Sequence, residues 1–382
     1  MVQNMGPLSI LKYYYNNRKR FLSIFIPVTL SVLLLYTLLM IIFSSYRVGY
    51  NLVVEPKKYY STVAPKGEVL NTKIIASIAA IEYVDRVMPC IFDYTTFTAG
   101  IGSNYSTSIL SLWSDDIIYM MDLLDLKLTE GRLPKNGSEI VLHKQVAANK
   151  NLKAGDYIGR MVSKSESLPG KYMVVGIIDG KSIVSFAPIQ QYINTYRLNY
   201  EYIYGGIILP KSNSLSEMNA SLDTIQPSNF QINTLDIEMA GQKESTSKIN
   251  VLISVVCSLV IVIVSSCIGF LCYIYFIQRR SEFGLLWAVG FSRQQVVNRA
   301  FAEVNGINIL GFLCGIILSF LAGLLLNYAY FIPIGDPLQI INVKYMLGAA
   351  CSPLFVTLFS LIPIWRMLKK LDPISIIEGV TD

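Results

Sequence analysis

The chain has 382 residues, of which 53% are hydrophobic and 15% charged, with a net charge of +6. Charged residues make up about a quarter of an ordinary soluble protein, so this composition excludes a typical soluble domain. Its mean hydropathy is +0.46, which points to an integral membrane protein.

Residues 6–20, GPLSILKYYYNNRKR, mix Leu8, Ile10, Leu11, Tyr14 and Tyr15 with basic groups. They read as an interfacial helix leading into the membrane, or as a basic flank that anchors it. Phe21 to Phe43 is the first uncharged run. A bilayer crossing needs roughly 20 such residues, and a secretory signal core holds only about 7–15, so the run reads as a retained anchor.

The next segment, 46–247, has soluble composition. Ile74, Ile75, Ile78 and Ile81 share one helical face over 71–84, with Asn71 as N-cap. SEIVL (138–142), DYIGRMV (156–162) and KYMVVGII (171–178) read as strands. KQVAANKNLKAGD reads as a short helix and a turn closed at Gly155-Asp156. YIYGGIIL (202–209) is a further strand, and Ser214 with Glu217 suggests a capping box for a helix over 215–224. QINTLDIEM (231–239) alternates as a last strand. Together these give an α+β domain. Cys90 is its one cysteine, so no internal disulfide staples it.

Three more apolar runs follow. Ile249 to Gln278 would reach about 45 Å as a helix, beyond a ~30 Å hydrocarbon core. It therefore reads as a span that continues outward as a stalk. The third run lies between Glu303 and Asp336, and the fourth between Lys344 and Arg366. No ionisable group falls inside any run, which argues against an ion-coupled transporter or an aqueous pore. Gly311 and Gly315 form a G-x-x-x-G pair in the third, a candidate for packing within the chain or in a dimer.

Basic residues cluster before span one (Lys12, Arg18, Lys19, Arg20), between spans two and three (Arg279, Arg280, Arg293, Arg299) and after span four (Arg366, Lys369, Lys370). The positive-inside rule puts both termini in the cytoplasm and the 46–247 segment outside. The net positive charge thus reports topology, and nucleic acid is excluded as a partner. The fold class is a membrane protein of four transmembrane helices with a large α+β extracytoplasmic domain between spans one and two. The division runs as an N-terminal interfacial helix (1–20), span one (21–45), the external domain (46–247), span two with its stalk (248–278), a cytoplasmic segment (279–303), span three (304–331), a short external loop (332–344), span four (345–365) and a cytoplasmic tail (366–382).

Catalytic chemistry has little to stand on. There is no phosphate-binding glycine loop and no H-E-x-x-H, and the chain's single histidine, His143, follows a strand. Cys90 alone has no metal-ligand spacing. Asp115-Asp116 and Asp122/Asp125 read as a solvated acidic face rather than an acid–base pair. No catalytic residue, metal site or cofactor is assigned to this chain.

The stretch QRRSEFGLLWAVGFSRQQ (278–295) is different. Arg279 and Arg280 mark the membrane surface, and a helix runs from Glu282 to Val289 with Phe283, Leu285, Leu286 and Trp287 as its bulky groups. Gly290 suits a helix C′ position. Ser292 suits an N-cap, with Gln295 completing a capping box for a helix that continues into span three. The result is a compact knuckle with apolar groups fit for a partner's groove.

RRSEFGLLWAVGFSRQQVVNRAFAE resembles the cytoplasmic coupling segment of FtsX/MacB-type ABC transporter permeases, matching at Arg279, Glu282, Gly284, Leu286, Ala288, Gly290 and Ser292. Trp287 departs from the family's usual arginine. LTEGRLPKNGSEIVLHKQVAANKNLKAGDYIG followed by VVGII is similar to the outer-domain core of MacB-like permeases, with His143 where a small residue is common. The tail WRMLKKLDPISIIEG is similar to the family's closing segment at Leu371, Asp372, Pro373 and Ile374. The resemblance implies a non-catalytic permease of the mechanotransmission type (type VII) in the bacterial cytoplasmic membrane. It would pair with itself or with a paralogous permease. A separate MacB-type ATPase, carrying ATP and Mg, would bind Arg279, Arg280, Glu282, Gly284, Leu286, Trp287, Ala288, Gly290 and Ser292 together with Asp372 and Pro373. The implied function is export of a hydrophobic compound, peptide or lipoprotein, in contact with membrane lipids and with or without an extracytoplasmic adaptor. The alternatives are regulation of a cell-wall hydrolase and sensing of or resistance to antimicrobial peptides.

Overall fold

A computed structural model of the protein describes residues 14–66, 72–100, 102–135, 137–164, 166, 168–190, 193, 205–225 and 230–370. The N-cap at Asn71, the start of the strand placed at 202–209, most of the N-terminal helix (1–13) and the tail motif with Asp372 and Pro373 lie outside the described residues. The chain divides into two units, one built from 42–249 with 326–338, the other from the described parts of 1–41, 250–325 and 339–382.

The first unit is α+β and holds two sheets. The smaller has the order β11 (Phe230–Asn233), β1 (Ser61–Pro65), β10 (Gly206–Pro210), β2 (Val84–Pro89), all neighbours antiparallel. The larger has the order β3 (Ile91–Ala99), β4 (Ser103–Leu112), β9 (Ser185–Pro188), β6 (Glu139–His143), β8 (Tyr172–Asp179), β5 (Lys127–Gly131), with β7 (Tyr157–Ile158) also on β8. β6 lies between β9 and β8, parallel to β8, and all five of its residues are buried. That is why it reads as an unbroken apolar run rather than an alternating one. β3 alternates strictly instead, with Ile91, Asp93, Thr95, Phe97 and Ala99 inward. Its hairpin partner β4 is reached through Gly100 and Gly102, both at positive φ.

Two helices, α2 (Thr72–Ala79) and α5 (Leu215–Asp223), pack Ile78, Met218 and Leu222 on Val63 and Ile208 of the smaller sheet. A third, α3 (Ser114–Leu123), buries Ile117 and Met120 in a core shared by both sheets, through Ile207 and Leu209 on one side and Leu110, Val141 and Phe186 on the other. Full burial of each such side chain contributes about 1.5–3 kcal/mol. Asp115 and Asp116 sit in the first turn of α3, where the helix dipole favours them. The short α4 (Lys144–Asn149) covers the larger sheet with Ala147. The segment 326–338 closes against this unit. Asp336 accepts from the Gly100 N–H at 2.9 Å, and the Asn149 amide donates to Ile334 O at 2.7 Å and to Thr98 O at 2.7 Å.

Four sequence expectations need correction here. The helix begun at Thr72 ends at Ala79, and Val84 starts β2, because 80–83 turn through single backbone bonds. Only Tyr157–Ile158 of 156–162 is a strand; Gly159 at φ +126° turns the chain, and the Val162 and Ser163 amides bond back to Gly159 O. Ser214 does not cap α5, since its hydroxyl donates to Lys211 O at 2.8 Å. The strand placed at 231–239 stops at Asn233. There the Thr234 hydroxyl caps a new helix by accepting from Ile237 N at 3.5 Å, with Asp236 and Glu238 in its first turn.

That helix, α6 (Leu235–Gln278), is continuous over 44 residues and contains span two. The other spans lie in α1 (Arg18–Val53), α8 (Arg293–Leu326, with a wider turn to Phe331) and α9 (Val343–Lys370). Among the described residues four helices are therefore long and apolar enough to cross a membrane, and the chain is a multi-pass membrane protein. Within the membrane unit, Ser31 and Ser352 hydroxyls meet at 2.9 Å, and the Asn308 amide donates to Thr357 at 2.7 Å. Gly311 and Gly315 seat span one: a Cβ there would come within 2.7 Å of Val28 and of Val32 respectively. This glycine face packs against span one, the within-chain alternative of the two readings left open for it.

Candidate functional site

The knuckle between spans two and three lies wholly in the membrane unit. Span two ends at Gln278, and α7 (Arg280–Ala288) follows at once. Its C-terminus closes through paired backbone bonds, Phe291 N to Leu286 O at 3.1 Å and Gly290 N to Trp287 O at 2.9 Å. This closure requires a left-handed residue, and Gly290 supplies φ +101°. Ser292 and Gln295 then cap α8 reciprocally: the Ser292 N–H donates to Gln295 Oε1 at 2.8 Å, and the Gln295 N–H to Ser292 Oγ at 3.3 Å.

A charge cluster fastens α7 to span three. Arg279 Nη1 donates to Glu303 Oε2 at 2.7 Å and Arg279 Nε to Glu282 Oε2 at 2.9 Å, while Arg299 Nε donates to Glu303 Oε1 at 3.2 Å. The side chains of Arg279 and Glu303 are each 3% exposed, whereas that of Glu282 is 53% exposed. Phe276 and Phe283 stack at 5.8 Å with an interplanar angle of 4°, and the guanidinium lies 5.6 Å and 5.1 Å from their centroids. Aromatic faces favour such a cation. Tyr14 completes the cluster by donating to the Glu303 carbonyl.

Arg279 is therefore not a surface marker but the buried centre of the knuckle, because Glu303 neutralises it. Glu303 stands in α8 just before the third apolar run, and its charge is matched by two arginines, so it serves structure rather than an ion path. Phe283 and Gly284 are buried, and Leu286 and Trp287 are half-buried against the membrane-unit core. Arg280, Glu282, Ala288, Gly290 and Ser292 are exposed. The large apolar groups that face outward are Leu285 (60% exposed), one of the four bulky groups read from the sequence, and Val289 (77%), which the sequence did not single out. The Trp287 indole nitrogen is covered without an acceptor, and Arg293 sits 5.7 Å from its ring.

Elsewhere, His143 is fully buried. Its Nδ1 accepts from Gln145 N at 3.3 Å as the cap of α4, and Nε2 lies 3.1 Å from Gly180 O. Burial pushes its pKa below the ordinary value. Burial also pushes the Cys90 thiol well up, which leaves it unreactive. Among the described residues no cluster of His, Cys, Asp or Glu is placed to hold a metal.

Residues 254–373 match the family model described as FtsX-like permease C-terminal, a stretch that contains the knuckle. Three solved structures are each similar over nearly half of this chain. The periplasmic region of MacB from Actinobacillus actinomycetemcomitans is 13% identical, covering 49% of this chain and 92% of that one, with a TM-score of 0.30. The extracellular domain of YknZ, a noncanonic ABC-type transporter from Gram-positive bacteria, is 12% identical over 46% and 98%, at 0.28. A domain of a putative permease protein from Porphyromonas gingivalis is 10% identical over 46% and 86%, at 0.25.

Proposed function

We propose that the chain, whose residues 254–373 match the FtsX-like permease C-terminal model, is a membrane subunit of an FtsX/MacB-like ABC permease, and that its knuckle docks a separate MacB-type ATPase and passes the motion of that ATPase to the external domain. The observation that carries this reading is the knuckle itself. Its backbone is held at its N-terminal end by the buried Arg279–Glu303 ion pair and at its C-terminal turn by the Gly290 closure and the Ser292–Gln295 capping box, yet it presents Arg280, Glu282, Leu285 and Val289 outward. A rigid element with an exposed apolar ridge and charged flanks is what a groove-binding partner needs.

In this account both termini and the knuckle are cytoplasmic, and the 46–247 segment is external. The 44-residue α6 runs unbroken from the end of β11 to the knuckle. ATP-driven movement of the knuckle would travel along this helix, with no substrate passage between the spans. Pairing with a second copy or a paralogue is supported by span two, whose apolar window is 11% buried within the chain against 44% for span one. The task served is export of a hydrophobic compound, peptide or lipoprotein, with or without an external adaptor; control of a wall hydrolase and defence against antimicrobial peptides use the same machinery.

The test is recruitment of the purified ATPase to the full chain in nanodiscs. Glu282→Arg places a cation beside Arg279 and reverses an exposed charge, and it is expected to abolish recruitment. Glu282→Gln is expected to weaken it only severalfold. Recruitment by Glu282→Arg at wild-type strength would remove the knuckle from the interface.

A further inference from the structure

At the end of the membrane unit where span two stops at Gln278 and span four at Met367, a groove of about 470 Å³ opens between α6 and α9. Arg280 and Arg366 line it together with Tyr273, Ile277, Ile362 and Met367. Both arginines are exposed, no carboxylate lines the groove, and neither arginine is ion-paired among the described residues. Among the described residues the acidic side chain closest in sequence, Glu282, is engaged by Arg279. Trp365, half-exposed on the adjacent turn, stands at the same level, where indole rings favour the membrane–water boundary.

We propose that this groove is a binding site for an anionic phospholipid, with Arg280 and Arg366 on the phosphodiester and the acyl chains against Ile277, Ile362 and Met367. Three physical features converge on that occupant. Two guanidinium groups with no acid of their own leave a net charge of two, which a zwitterionic headgroup cannot balance. Guanidinium forks match phosphate oxygens in geometry. The remaining lining is apolar and lies in the last turns of two spans, where a lipid headgroup meets its chains; basic pockets between membrane helices recognise phosphate headgroups in this way. The site rests only on these helices spanning a membrane. It does not depend on an ATPase partner, and Arg366 lies outside the residues assigned to coupling.

Native mass spectrometry of the detergent-purified full chain tests the site, with phosphatidylglycerol, phosphatidylcholine and inorganic phosphate as probes. One equivalent of phosphatidylglycerol should be retained where phosphatidylcholine is not. Arg366→Gln should weaken retention about fivefold and Arg280→Gln with Arg366→Gln about 25-fold, from roughly a fivefold effect per basic group. Inorganic phosphate in excess should not displace the lipid. Equal retention of phosphatidylcholine, displacement by phosphate, or unchanged retention in the double variant would each overturn the proposal. Should the double variant fail to fold, photoactivatable phosphatidylglycerol on the wild-type chain decides. Adducts within 273–280 and 362–367 support the site. Adducts confined elsewhere, as when the chain's own tail or a protein fills the groove, reject it.

Discussion

Glu303→Leu is the sharpest perturbation of the knuckle. It removes the carboxylate that holds Arg279 at 2.7 Å and Arg299 at 3.2 Å. Arg279 would remain buried, and Glu282, at 2.9 Å, is half in solvent. Breaking a buried pair from one side costs about 3–5 kcal/mol. The surviving Glu282 contact puts this case near the lower end, about 3 kcal/mol, or roughly a hundredfold more frequent opening of α7. Amide hydrogen exchange of residues 280–292 in nanodiscs reads that opening directly. Adding Arg279→Met to Glu303→Leu removes the stranded charge and is expected to restore protection to within about 1 kcal/mol, because an apolar replacement of a buried pair is often neutral. Unchanged exchange in Glu303→Leu, or a double variant as loose as the single, would refute the claim that this pair positions the knuckle.

Gly290→Val is expected to destabilise the same turn by about 1–2 kcal/mol from backbone conformation alone, since nothing lies within 4 Å of the added Cβ and φ is +101°; Gly290→Asn should be milder, and equal exchange rates in the two would contradict this. Gly335→Ala would put a Cβ 2.2 Å from the Gln145 carbonyl, so it should free 332–337 to proteolysis at a cost of about 1–3 kcal/mol, and unaltered resistance would count against the docking of that segment. Lys57 is buried, and desolvation lowers its pKa to about 8 from 10.5. Its charging therefore opposes folding fully below pH 8, and the penalty fades as pH rises to 10.5. Lys57→Met should stabilise the external domain at pH 7 by about 2 kcal/mol, after about 1 kcal/mol for the lost Thr62 hydrogen bond. The gain should shrink by pH 10, and a pH-independent gain would contradict this. The 46–247 fragment is expected to be soluble, since four apolar clusters are built from its own residues; absence of a protease-resistant core would argue against that boundary.

Legibility followed the physics of each signal. The spans and the knuckle's caps were readable because charge-free length, a lone glycine and a Ser–Gln pair act locally. The β3–β4 hairpin was not, because its inward positions include Asp93 and Thr95 and so blur the apolar alternation, although the Gly-Ile-Gly turn was a usable hint. The 231–239 segment alternates well enough for a strand, yet Thr234 caps a helix there, a case of side-chain capping overriding pattern. In the site, Arg280, Glu282 and Gly290 were legible as exposed or special residues. Glu303 was missed because its partner Arg279 is 24 residues away; its i,i+4 spacing from Arg299 at the mouth of an apolar run was the one local clue. Of the four bulky groups read there only Leu285 faces outward, and Val289 was passed over, because helical facing, not bulk, decides which apolar group points outward.

Gentle purification of the full chain from its native membrane, followed by identification of the proteins that come with it, tests the central claim most directly. The account predicts an ABC-type ATPase held by the wild-type chain and lost in Glu282→Arg. A wild-type chain that brings down no ATPase, and binds none when it is added with ATP, would contradict it.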